Sequence, residues 1–194
     1  MSIHFDGIKT RVKYLGTFDF KQFYRDVRDQ LQDKGYINED NWKYLEPYYS
    51  EKRSGDPREA NTIWIWWRSE KREEGNPFYK RHIDMDFHLR FVREAEVMVN
   101  GQKKRVHKAE IEIMFEGWLE LDVGDRWKNH WLLKSFLDTY IRRIWRKRRE
   151  AEKWGTIGDC MYIQTMVKDY FKIHKFLGPP REPFYQEFGY KDRE

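Results

Sequence analysis

The stretch "RHIDMDFHLRF", residues 81 to 91, alternates without interruption. Ile83, Met85, Phe87, Leu89 and Phe91 take one side; His82, Asp84, Asp86, His88 and Arg90 take the other. Apolar positions of a helix recur at three and four residues, so this pattern excludes one and fixes a strand with a buried and a polar face. "AEIEIMFEGWLEL", residues 109 to 121, repeats it, with Ala109, Ile111, Ile113 and Phe115 apolar and Glu110, Glu112 and Glu116 polar. If the two strands pair, their apolar sets must meet, because a slip of one residue moves every side chain to the wrong face. The sum of facing residue numbers must then be even. "NG" at 100 and 101 points to a two-residue turn pairing 99 with 102, an odd sum that would set Phe91 opposite Glu110. That pairing is rejected, and the hairpin needs a three-residue loop or an internal bulge. Pairing 98 with 102 leaves Gly101 at a left-handed loop position. Pairing 99 with 103 sets Glu94 beside Lys108 and Arg90 beside Glu112. Both registers stay open.

The rest of the chain builds around these strands. Residues 3 to 15 alternate weakly and read as a strand. "TFDFKQFYRDVRDQLQDKGY" is the cleanest helix: Asp19 caps it, Phe20, Phe23, Tyr24, Val27 and Leu31 form one face, and Gly35 closes it. Residues 44 to 53, 62 to 74, 79 to 99 and 103 to 121 read as four antiparallel strands joined by short turns, two of them at "GDPRE" and "EGNPF". Beyond Gly124 the period becomes helical. One long helix is expected over 126 to 153, with Trp131, Leu132, Phe136, Leu137, Tyr140, Ile141, Ile144 and Trp145 as its apolar positions. A second is expected over 156 to 177, carrying Ile163, Met166, Val167, Tyr170, Ile173 and Leu177, and "GPP" stops it. The expected fold is α+β: an antiparallel sheet of about five strands, a helix after the first strand, and two long C-terminal helices on one face. Residues 1 to 177 form one domain, and 178 to 194 form an aromatic tail, with Phe184, Tyr185, Phe188 and Tyr190, that docks on the body.

Composition sets outer limits. Thirteen Phe, twelve Tyr and nine Trp exclude a disordered chain although 37% of the residues are charged. A domain of 194 residues buries roughly 70% of its unfolded surface. Cys160 is the single cysteine, which rules out an internal disulfide and a cysteine zinc cluster. Nothing reads as a signal peptide or a membrane span, so no membrane partner is expected and the cytoplasm is the default. Net charge is +5 and the isoelectric point 9.1, which leans toward polyanions, though 33 acidic residues dilute that inference.

Three groups of residues bear on function. "NTIWIWWRSEKREE" begins at residue 61; Ile63, Ile65 and Trp67 point to the core and bring Arg68 near Asp86. Trp64 and Trp66 then fall on the polar face near His88 and Arg90. With Trp118 they form a candidate interface or ligand strip, provided that something covers the second face of the sheet: the chain's own tail, a partner, or a ligand. His82, Asp84, Asp86 and His88, joined by Glu112 or Glu116, are weighed as zinc ligands and set aside as a solvated, charge-paired face; no metal and no cofactor is expected. "RRIWRKRR", residues 142 to 149, holds six basic residues in eight. Arg142, Arg146 and Arg149 share one helical face, Arg143 and Lys147 another, with Tyr140, Trp145 and Trp154 available for stacking. Such a strip binds RNA without base specificity; the competing reading is a solvated helix face with Glu150 and Glu152 as partners. His130 and Trp131 read as capping and packing residues. No nucleophile–base pair, phosphate-binding glycine loop or complete metal motif is present.

The stretches "IWIWWRSEK", "FYKRHIDMDFHL" and "AEIEIMFEGWLELD" resemble uncharacterised proteins of small-genome archaea over roughly residues 60 to 137, a likeness of patterning and aromatic content that implies no function. The order of elements also resembles helix-grip domains, which implies an apolar ligand held between sheet and helix. The leading expectation is a non-enzymatic interaction protein that presents Arg142, Arg143, Arg146, Lys147 and Arg149 to RNA or a ribonucleoprotein. The alternatives are a self-associating structural subunit that uses the aromatic face, and a helix-grip binder.

Overall fold

The computed structural model describes residues 3–37, 45–53, 61–73, 76, 78–99 and 102–173. Its elements are β1 (Ile3–Phe18), α1 (Phe20–Asp33), β2 (Tyr48–Lys52), β3 (Asn61–Lys71), β4 (Tyr79–Val99), β5 (Gln102–Leu121), α2 (Leu133–Thr139), a π-helical segment (Tyr140–Ile144) and α3 (Arg146–Tyr170). The five strands form one antiparallel sheet in the order β1-β5-β4-β3-β2, which leaves β1 and β2 as its edges. The expected docking of residues 178 to 194 and the "GDPRE" turn lie outside the described residues.

Alternation decides the layers. Ile63, Ile65 and Trp67 of β3, Ile83, Met85, Phe87 and Leu89 of β4, and Ala109, Ile111, Ile113 and Phe115 of β5 are all buried on one face. Phe23, Val27 and Leu31 of α1 and Cys160, Ile163 and Val167 of α3 cover them in a single cluster. Burying each large side chain contributes about 1.5–3 kcal/mol. Between sheet and helices the Phe171 ring lies 4.9 Å from that of Phe23, 5.3 Å from Phe18 and 4.5 Å from Tyr14. Aromatic side chains thus fill the space between sheet and helices. Trp67 is wholly buried, and its indole N–H donates to the Tyr24 hydroxyl over 3.1 Å, so its one polar atom is satisfied.

Helix α1 begins as its sequence dictates. The Gln22 N–H donates to the Asp19 carboxylate. At its end Gly35 takes φ of +76°, and the Tyr36 N–H returns to the Leu31 carbonyl over 2.9 Å, a left-handed stop.

In the β4–β5 hairpin the rejected 99–102 pairing does occur, and the internal bulge that was left open reconciles it with the apolar faces. Val99 faces Gln102, the odd register, as far as Arg93 opposite Lys108; Arg90 then faces Glu110. The two residues between, Phe91 and Val92, absorb the difference as a bulge, with Phe91 at φ of +57° and 60% exposed. The even sum demanded by the apolar faces thus holds only below the bulge.

The C-terminal half departs further. Two helices divided near Gly155 were expected, yet α3 runs through Gly155 and the break falls at Trp145. The Trp145 N–H bonds the Tyr140 carbonyl over 2.8 Å, five residues back. Leu137, Ile141 and Trp145 pack on Tyr79, Leu119 and Leu121 as a second, smaller core. Their spacing of four overshoots a 3.6-residue turn, and the wider π turn keeps all three on one side. A Cβ at Gly155 would lie 3.1 Å from the Arg81 guanidinium, so this glycine makes room for a side chain from the sheet instead of stopping the helix.

Candidate functional site

No helix lies on the second face of the sheet among the described residues; α1 and α3 share the first. Pairing arranges the outward side chains in rows. One row runs Tyr48, Trp66, Asp86, Met114, Arg11 across all five strands. Beside it runs Ser50, Trp64, His88, Glu112, Lys13, and on the other side Arg68, Asp84, Glu116, Lys9.

Trp64 and Trp66 were expected to need a covering layer. Their own sheet partly shields them instead: Trp66 stacks on Tyr48 at 4.3 Å and Trp64 on His88 at 5.1 Å. Trp66 remains 42% exposed and Met114 49%. Trp118 is held between two imidazoles, His4 at 4.2 Å and His82 at 3.9 Å, and its indole N–H donates to Asp84 Oδ2 over 2.9 Å.

Charges on this face are mostly matched. Arg68 Nη1 donates to Asp86 over 2.6 Å, as the sequence had indicated. Lys9 lies 2.7 Å from Glu116, and Arg90 reaches both Glu110 and Glu112, at 2.9 and 3.0 Å. Water screens such exposed pairs, so they add little stability. Asp84 is matched less closely, with Arg68 Nε 3.8 Å from its Oδ2. Its Oδ1 is buried without a hydrogen-bond partner, and burial pushes its carboxyl above the usual range, reinforced by Glu116 and Asp86. The same row structure encloses a groove of about 400 Å³ lined by Lys9, Arg11, Arg68, Asp84, Asp86, Met114 and Glu116, with Thr10 and Phe115 contributing to its wall. Sequence reasoning found Arg68 and Asp86 but missed the groove, because β1 and β5 meet only through pairing across about a hundred residues.

The residues weighed as a zinc set have other partners: His82 lies 2.9 Å from Glu120, and His88 stacks on Trp64. Burial lowers the pKa of both imidazoles. Among the described residues one group, His4, Asp6 and Glu116, brings ligand atoms within 4.8 Å of one another. His4 and Asp6 are exposed, and Lys9 holds Glu116.

The basic run is divided by the break at Trp145. Arg142 and Arg143 sit on the π turn and Arg146, Lys147 and Arg149 open α3. Arg142 pairs with Asp138 at 2.7 Å. Arg149 turns inward, pairing with Glu150 at 2.8 Å and lying 5.0 Å over the Phe5 ring, its side chain 16% exposed. Arg143, Arg146 and Lys147 are exposed and make no ion pair with described residues. His130 caps as expected, its Nδ1 accepting from the Leu132 and Leu133 N–H groups, but Trp131 is 85% exposed and packs no core. Leu132, Phe136, Ile144 and Trp154 are exposed as well. No helix among the described residues is long and apolar enough to cross a membrane. Comparison with protein-family models gave no match, and a search of curated proteins gave none either.

Proposed function

We propose that this is a non-enzymatic interaction protein of the cytoplasm that engages a polyanion, RNA or a ribonucleoprotein, through the ridge of Arg142, Arg143, Arg146 and Lys147. One observation carries the reading: three of these cations are solvent-exposed and form no close ion pair with the described residues, Arg146 feeling Glu150 only at longer range, while the charges on the sheet are neutralised locally. Their position adds to the effect. Arg146 and Lys147 stand in the first turn of α3, where no acidic residue offsets the positive end of the helix dipole. Trp154, seven residues beyond Lys147 and 67% exposed, offers a ring on the same side of the helix for base stacking.

Fluorescence anisotropy with labelled single-stranded RNA tests this. Three to four phosphate contacts give a slope of about −2 to −3 in log affinity against log salt. The combined variant R143E/R146E/K147E is expected to weaken binding at least tenfold with an unchanged melting temperature. Binding that ignores salt, or that survives the charge reversal, removes the proposal.

A second reading, self-association through the open sheet face, draws on the exposure of Trp66, Met114 and, at 67%, Leu15. Light scattering at high concentration decides it, since a monomer there eliminates this option.

A further inference from the structure

We infer that the groove on the helix-free face of the sheet binds a neutral polyhydroxylated ligand, a saccharide. This site is independent of the basic ridge: the groove lies on the outer face of the sheet, whereas the ridge belongs to the helical side.

Charge balance comes first. The groove wall carries three cations, Lys9, Arg11 and Arg68, and three carboxylates, Asp84, Asp86 and Glu116. A wall of zero net charge gives no advantage to a phosphate, and Glu112 beside it is itself paired with Arg11 and Arg90, so it does not tip the balance. A simple organic cation meets three competing positive groups, and a purely apolar molecule would strip water from six charged groups without replacing its hydrogen bonds. A sugar hydroxyl donates and accepts at once, so vicinal hydroxyls satisfy carboxylate and guanidinium neighbours together.

The unmatched atom comes second. Asp84 Oδ1 is buried and accepts no hydrogen bond, although Oδ2 of the same carboxylate is held by the Trp118 indole. Asp84 also stands directly across from Glu116, a like-charge pair that opposes sheet formation. A buried acceptor beside an open groove is an atom that a ligand's hydroxyl donor would satisfy.

The platform comes third. Trp66 stands at the margin of the groove, next to its lining residue Asp86; its ring stacks on Tyr48 from the neighbouring strand and has the Arg68 guanidinium 5.7 Å from its centre. Met114 follows in the same row, exposed between the charged residues. Pyranose rings present a C–H face to such surfaces while their edges carry the hydroxyls. The volume of about 400 Å³ falls within the range of small-ligand sites.

Full-length protein is titrated with four neutral trisaccharides, maltotriose, cellotriose, mannotriose and chitotriose, followed by calorimetry and tryptophan fluorescence. At least one is expected to bind saturably and perturb the fluorescence. Trp66→Ala and Asp84→Asn should each weaken that binding tenfold or more, while R143E/R146E/K147E leaves it unchanged. Because Asp84→Asn removes a repulsive charge, its melting temperature should not fall, which separates lost binding from lost folding. No saturable binding by any of the four overturns the inference. So does binding that both groove variants retain, or a groove that takes a single-stranded RNA or spermine in a manner abolished by Trp66→Ala.

Discussion

Asp84 is crowded by design of the register: Glu116 lies across from it and Asp86 two positions along its own strand. Arg68 Nε, 3.8 Å from its carboxylate, and the Trp118 indole offset only part of this. Burial and its acidic neighbours raise its pKa above the ordinary carboxylate value. A carboxyl with a raised folded pKa favours the native state below its unfolded value, near 3.9, and loses that contribution as pH climbs through the folded value. At neutral pH Asp84 is therefore a net liability. Asp84→Asn should raise the melting temperature at pH 7, and the gain should shrink steadily as the buffer is brought toward pH 4; a variant less stable than the parent at pH 7 contradicts this. Alternation in the sequence placed Asp84 on the polar face. Its crowding was readable only in one of the two registers left open, since pairing 98 with 102 also sets Asp84 across from Glu116, and a bulge at Phe91 and Val92 decides for that register here.

At the level of elements, the π turn is the feature with the clearest cause. Trp145 is 6% exposed and packs its ring 5.2 Å from Phe78 and 5.3 Å from Tyr79. Trp145→Ala should cost about 3–5 kcal/mol, measured by urea unfolding, and hydrogen exchange should show α2 and the π segment losing protection before α3 does. Equal loss along α3 would show that the two helices act as one unit. The strands and α1 were legible because a period of two, an Asp19 cap and a Gly35 stop are local signals. The division of the C-terminal helices was not. Gly155 looked like a boundary, yet its absent side chain serves Arg81 on β4, a partner no local pattern reveals. The regular four-residue spacing of Leu137, Ile141 and Trp145 was a signal for the true break that a 3.6-residue template passes over.

At the level of the whole molecule, one ion pair ties the helical layer to the sheet. Arg81 projects from the core face of β4, and its Nε donates to Glu152 of α3 over 2.9 Å. Asp159 lies 3.7 Å from the same guanidinium, and Glu152 is 8% exposed. Glu152→Ala leaves this half-buried cation with Asp159 alone and should cost about 2–3 kcal/mol. Arg81→Ala should cost less, and a double-mutant cycle by chemical denaturation should return a clear coupling energy; additive losses would show the pair to be incidental. Charge in the run 142 to 149 was legible as composition, but Trp145 splits its geometry and Arg149 withdraws to Phe5. The long first strand has a consequence of its own. β1 runs from Ile3 to Phe18 and, among the described residues, pairs on one side only, so its far rim offers amides and carbonyls to any extended chain that drifts against it. A kink at Gly7, where a Cβ would come within 2.4 Å of the Gly117 carbonyl oxygen, and the lysine–arginine–lysine series at 9, 11 and 13 make that rim a poor template. The cations that line the groove thereby also keep neighbouring molecules from zipping into fibres.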